Sequence, residues 1–169
     1  MQPQHRVSSR SARDAPLQIA LIEPEIPPNT GNVARLCAAT GCALHLVEPL
    51  GFSIDDRELK RAGLDYWEHV CITLHPSLDA FLAATSDLRR WYFSARASIS
   101  YASAGFARGD ILVFGKETKG LPDELLARDP EHCLRIPMRN ETVRSINLST
   151  AAGIVTYAAL ERIGFPGLQ

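Results

Sequence analysis

Nowhere does the sequence hold an apolar run near the roughly 20 residues that a membrane-spanning helix needs, so a helical membrane protein is not expected. Cysteine is scarce: Cys37, Cys42, Cys71 and Cys133 form no CxxC pair, which argues against a zinc site or a disulfide frame. They read as reduced core thiols of a cytosolic protein. His5, His45, His69, His75 and His132 are scattered and give a metal site no support. Glycine never occurs as GxGxxG, which removes the dinucleotide-binding reading. Gly109 with Gly115-Lys116 mimics a P-loop, yet five residues separate the glycines where four are required. Glu117 also stands where a Ser or Thr must hold magnesium. Nor is there a surplus of one charge. A net charge of −1 by itself argues against a nucleic-acid binder, but a phosphate backbone feels only the local face it meets.

What is present fits one domain, because splitting 169 residues would leave two marginal cores. Residues 1–16 carry Arg6, Arg10, Arg13 and three serines but neither the apolar segment of a secretory signal nor an amphipathic face. They are expected as a disordered polar tail, with the domain running over 17–169. Basic residues gather at Arg57, Lys60 and Arg61, at Arg89 and Arg90, and at Arg135, Arg139 and Arg144. Each cluster alone reads as a solvated face. Short apolar runs at Gln18–Ile22, Ala43–Val47, Cys71–Leu74, Trp91–Ser94, Ile111–Phe114 and Cys133–Ile136 predict buried strands. Helices are predicted over Asn32–Thr40, Ser77–Thr85, Asp123–Arg128 and Asn147–Ile163, the last stopping at Gly164 with Pro166 beyond. The alternation implies an α/β fold, a mainly parallel sheet with helices on both faces. The last helix bears a wide, alanine-rich apolar stripe from Leu148 to Ile163, fit for the core or for a subunit interface.

Three segments place glycine, proline and asparagine where a parallel sheet puts its ligand sites, after strand ends. The first runs from Pro24 to Arg35 through Pro27-Pro28-Asn29-Thr30-Gly31-Asn32. It predicts a stiff loop, a cap from Asn29 or Thr30, and Arg35 about one turn inside the helix that follows. The second is Phe114-Gly115-Lys116-Glu117-Thr118-Lys119-Gly120-Leu121-Pro122, where a glycine directly after a buried strand lets a ligand press on backbone. The third, Arg135 to Ser149, is rich in hydrogen-bonding side chains, and Ser145 or Asn147 can start the last helix.

In this order and spacing the three segments resemble the motifs of the SPOUT methyltransferase superfamily, over Leu17 to about Gly167. Glu48-Pro49-Leu50-Gly51-Phe52 and Arg61-Ala62-Gly63-Leu64-Asp65-Tyr66 look like the small bacterial tRNA wobble-position 2′-O-methyltransferases within it. Ile146 and the run Tyr157-Ala158-Ala159 depart from that pattern. The resemblance implies a deep trefoil knot at the C-terminal end, a cytoplasmic homodimer built on the knot and last helix, and S-adenosylmethionine as cofactor. It implies an enzyme of the EC 2.1.1 class that methylates cytidine or modified uridine 34 of tRNA, leucine isoacceptors foremost. Phe93, Ser94 and Ala95 would form one wall of the cofactor pocket; Gly115, Glu117, Gly120 and Leu121 the second; Ile136, Met138, Ser145 and Leu148 the third. Asn29, Asn32, Arg35, Arg139, Arg144, Asn147 and Tyr157 would face the RNA.

By the same resemblance Arg35 is the catalytic residue. A protonated guanidinium has no lone pair with which to accept a proton. A consistent role is to hold a phosphate or the developing alkoxide while the proton leaves to a phosphate oxygen or water. No metal is implied, since a sulfonium leaving group needs no Lewis acid. Three rivals stay open: a 2′-O-methyltransferase for another tRNA position or ribosomal RNA, a non-catalytic RNA-binding module on the same fold, and a small-molecule methyltransferase.

Overall fold

The strand-forming runs are apolar on both faces, as strands between two helical layers must be. A computed structural model describes residues 11–54, 64–139 and 141–169. Seven strands form one sheet: β1 (Gln18–Ile22), β2 (Ala43–Val47), β3 (Ile72–His75), β4 (Arg90–Phe93), β5 (Ile99–Ser100), β6 (Ile111–Phe114) and β7 (Cys133–Arg135). Their order is β3-β2-β1-β6-β4-β7-β5, and every pairing between them is parallel. Sequence placed β1, β2 and β6 to the residue and β3, β4 and β7 to within one residue. It missed β5, which is two residues long and exists only because Ile99 and Ser100 align with Leu134 and Arg135.

Side chains alternate between two cores. Ile19 and Leu21 of β1 point toward α1 (Pro27–Thr40) and α4 (Leu148–Arg162), where Val33, Ala34, Cys37, Ala152, Val155 and Ala159 are buried. Ala20 and Ile22 point the other way, toward Phe81 of α2 (Leu78–Ala84) and Leu125 of α3 (Asp123–Arg128). The expected α/β architecture with helices on both faces is therefore present. Burying a Leu- or Ile-sized side chain stabilises by about 1.5–3 kcal/mol. Eleven large side chains lie under 2% exposed, so this two-sided core dominates the hydrophobic term.

Three helix starts differ in their chemistry. Ser77 caps α2 by accepting from Ala80 N, and Asn147 caps α4 by accepting from Ser149 N and Thr150 N. For α1 the sequence expectation fails. The helix starts at Pro27, five residues before Asn32, so the stiff loop is in fact its first turn. Prolines suit that position because they have no N–H to leave unpaired. Neither Asn29 nor Thr30 is the cap. Ile26 occupies that place and offers no side-chain bond.

All four cysteines are free and buried, and burial holds the Cys37 thiol well above its usual range. Arg89 bonds Asp110 twice and Gly105 O, while Arg90 reaches Leu82 O and Thr85; this basic cluster is structural. Arg57, Lys60 and Arg61 lie outside the described residues, as do positions 1–10 of the expected tail. Ser11–Pro16 of that tail is placed on the body: Ala12–Asp14 forms a 3-10 turn, Arg13 meets Asp87 at 2.7 Å, and Pro16 O accepts from Gly109 N. Among the described residues no helix is long and apolar enough to cross a membrane.

Candidate active site

The order of strands reverses between β1 and β6, and their carboxyl ends open the crevice in which such sheets bind ligands. A cavity of about 470 Å³ lies there, within the usual range for small-molecule sites. Phe93 at the end of β4 with Ser94 and Ala95 beyond it, Gly115, Glu117 and Gly120 after β6, and Ile136, Met138, Ser145 and Leu148 after β7 all line it. Residues spread over more than fifty positions thus meet in one cleft. Phe93 stacks on Phe114 with ring centroids 4.8 Å apart, giving the cleft an apolar floor.

Close backbone packing shapes the second wall. A Cβ on Gly115 would stand 2.1 Å from Gly120 C and 2.2 Å from Leu121 N, so only glycine fits. Gly120 takes φ +67°, the left-handed region that favours glycine. Gly120 N donates to Lys116 O at 2.8 Å, closing the loop on itself. Lys116 Nζ meets Glu23 at 2.7 Å, and this contact raises the ammonium pKa. Leu121 departs from expectation. It is 2% exposed, packs in the core with Ala20 and Leu125, and lines a neighbouring cavity instead of the cleft. A large apolar side chain beneath a glycine turn is drawn to the core.

Glu117 lines the cleft, but its carboxylate turns to α1. It accepts from Glu25 N at 2.8 Å, Ile26 N at 3.0 Å and Asn29 Nδ2 at 3.1 Å. Asn29, expected to meet RNA, is 5% exposed and accepts from Asn147 Nδ2 at 3.0 Å. Asn29 and Asn147 are thus joined to each other, and both line the cleft together with Arg144. Arg35, Asn32, Arg139 and Tyr157 are exposed and lie off its lining. Arg35 sits nearer two turns than one inside α1, because the helix starts earlier than the sequence suggested. Its guanidinium lies 5.3 Å from the ring centroid of Tyr66. Tyr66 belongs to the 3-10 turn Leu64–His69, anchored by buried Trp67. Sequence reasoning gave no role to Ile26, Arg96, Lys119 or Ala151 as lining. Arg96 lies within three residues of β4, which was the available signal. Among the described residues no cluster of three His, Cys, Asp or Glu could hold a metal.

The family described as SpoU rRNA Methylase matches residues 16–157. A tRNA (cytidine(34)-2′-O)-methyltransferase of Burkholderia cenocepacia is 51% identical over 152 residues, 88% of this chain and 97% of that one. A solved structure described as "Structural insights into the 2-OH methylation of C/U34 on tRNA" is 51% identical, with a TM-score of 0.82 over 86% of this chain and 95% of that one. The AdoMet-bound rRNA methyltransferase of Sinorhizobium meliloti is 25% identical, with a TM-score of 0.78 over 90% of this chain and 60% of that one.

Proposed function

The chain belongs to the SpoU rRNA methylase family, and from that membership we propose that it is a tRNA 2′-O-methyltransferase acting on the ribose of cytidine or uridine 34. One observation carries the reading: the three motif segments converge on a single cleft in a chain half-identical to a tRNA (cytidine(34)-2′-O)-methyltransferase along nearly its whole length. The ribosomal RNA alternative is disfavoured on coverage, since this chain spans 97% of the tRNA enzyme but 60% of the rRNA enzyme.

The cleft suits S-adenosylmethionine by its chemistry. Phe93, Phe114, Ile136, Met138 and Leu148 offer apolar walls for adenine, and Gly115 and Gly120 leave backbone open to a ligand. When bound, the cofactor supplies an electrophilic sulfonium methyl. The chain's own residues orient the acceptor. Arg35 holds the acceptor phosphate or the developing 2′-alkoxide, and the 2′-proton leaves to a phosphate oxygen or water. Exposed Arg139 and Arg144 supply cations for the RNA backbone near the cleft. The proposal includes a homodimer joined through the outward face of α4, a cytoplasmic location beside the tRNA pool, and a trefoil knot. In favour of the knot, β7 enters the sheet between β4 and β5, two strands that precede it in the chain.

Methyl transfer from labelled S-adenosylmethionine to total tRNA, with the modified nucleotide mapped, tests the reading. Label at the 2′-oxygen of nucleotide 34 is expected. Label at another position or in ribosomal RNA, or cofactor binding without transfer, would overturn it.

A further inference from the structure

α1 is a helix without a cap of its own. Its first two residues, Pro27 and Pro28, bring no N–H, and Ile26 has no side-chain acceptor to offer. Asn29 N donates to Ile26 O, so the Ile26 N–H and a partial positive charge are what remain to be met at that end. Both are met from a segment about ninety residues later in the chain. Glu117 Oε2 accepts from Glu25 N, and Oε1 accepts from Ile26 N and Asn29 Nδ2. Thr118 returns the contact: its N–H and hydroxyl donate to the Glu25 carboxylate at 2.9–3.1 Å. The Glu117 contact to the Ile26 N–H is the carboxylate half of a capping box, supplied here from a separate segment.

We propose that Glu117 is a positioning residue: it caps α1 from the loop that walls the cleft, and thereby makes the placement of Arg35 depend on that loop. Both oxygens of its carboxylate are engaged with α1 and its entry, so its charge serves the helix and not a ligand in the cleft. The loop is stiff enough to transmit a displacement, because Gly115 is packed against Gly120 and Lys116 pairs with Gly120. Through Asn29 the same hub reaches Asn147, the cap of α4. Arg35 rides on the same continuous helix, so a tilt at Pro27 moves its guanidinium. A misplacement of about 1 Å at a reacting centre can cost on the order of 100-fold in rate. The inference rests on the proposed function only in assigning Arg35 to the acceptor.

The test is Glu117→Gln in the full chain, which keeps the size but replaces one acceptor with an N–H₂ facing donors. Backbone amide exchange at Glu25 and Ile26 should accelerate at least about tenfold as their acceptor is lost. S-adenosylmethionine affinity should stay within about threefold, while single-turnover transfer falls at least about tenfold. In an Arg35→Lys background the same change should cost less than about threefold, since both act through one group. Cofactor affinity falling in step with rate would make Glu117 a cofactor ligand and overturn the proposal, as would additive losses with Arg35. Should Glu117→Gln fail to fold, Thr118→Val removes only the hydroxyl contact to Glu25 and should give the same pattern at smaller amplitude; unchanged exchange there would also overturn it. If the wild type transfers no methyl to tRNA, the proposed function fails, while exchange and cofactor affinity still decide the clamp.

Discussion

Arg35 is exposed, and among the described residues the contact fixed for its guanidinium is the face of Tyr66. An arginine held by a ring and free at its edge suits a group that must grip a phosphate or an alkoxide through a planar fork. Arg35→Lys keeps the charge but loses the fork. The variant should bind S-adenosylmethionine normally and transfer methyl about 100-fold more slowly, the scale of one lost transition-state donor. Its single-turnover rate should stay nearly flat between roughly pH 7 and 9, because the proton goes elsewhere; a steep rise would show that residue 35 acts as the base. Tyr66 offers a finer check. Losing a cation–π contact at an exposed site, worth about 0.5–1 kcal/mol, should slow Tyr66→Ala two- to fivefold, and Tyr66→Phe should restore the rate. Equal losses in both variants would mean that the hydroxyl, not the ring, is what matters.

Elements make the site possible by close packing at strand ends. Gly115→Ala would drive a Cβ into the backbone of Gly120 and Leu121. The loop would then open, and cofactor affinity should fall at least about tenfold while α4 and the remote core keep their structure. Titration calorimetry with a parallel thermal melt separates that outcome from general unfolding. A second element-level device runs across β1, β2 and β3. Gln18 of β1, His45 of β2 and His75 of β3 form one buried chain: Gln18 Nε2 donates to Gly109 O, His45 Nε2 donates to Gln18 Oε1, and His75 Nε2 donates to His45 Nδ1 at 2.9 Å. Both imidazoles are neutral, and burial followed by the neighbouring His75 holds the His45 pKa down to about 3. His75 is lowered by burial as well. The unfolded chain therefore binds more protons below about pH 6.5, and the stability present above that value is lost as pH falls toward 3. The slope from His45 should approach about 1.4 kcal/mol per pH unit, and His75 adds to it in the same direction. Melts from pH 8 to 5 should show flat stability and then a fall that His45→Gln/His75→Gln largely removes; an unchanged fall in that variant would assign the effect to other groups.

On the scale of the molecule, α4 decides how the protein presents itself. Ala152, Val155, Ala159 and Leu160 are buried against the sheet, whereas Tyr157 stands 48% exposed on the outer side with Ile154 and Ala158 beside it. That face gives the proposed homodimer its seam. Ala151 lines the cleft, so Ala158→Arg is the change that loads the seam with a charge and leaves the site alone. Light scattering should report a dimer for the wild type and a monomer for the variant. A monomeric wild type would end the dimer reading, and the cations of a single chain would then have to suffice for the proposed RNA contact.

Local pattern alone determined the strands, because an apolar run of four or five residues between breakers can be buried in few ways, and β1, β2 and β6 followed from it. The three motif segments were legible for the same local reason, since glycine, proline and asparagine mark the chain wherever its backbone must bend or approach a ligand. Spacing could not show which side chains meet. The Leu121 side chain packs in the core with Ala20 and Leu125, and Asn29, at the cleft, is tied to Asn147 and Glu117. The largest miss was the start of α1, whose cap comes from Glu117, 92 positions from Glu25. A helix entry rich in proline and poor in its own acceptors looks like a loop until another segment supplies the missing carboxylate, and only the parallel packing of β1 beside β6 brings that carboxylate within 3 Å.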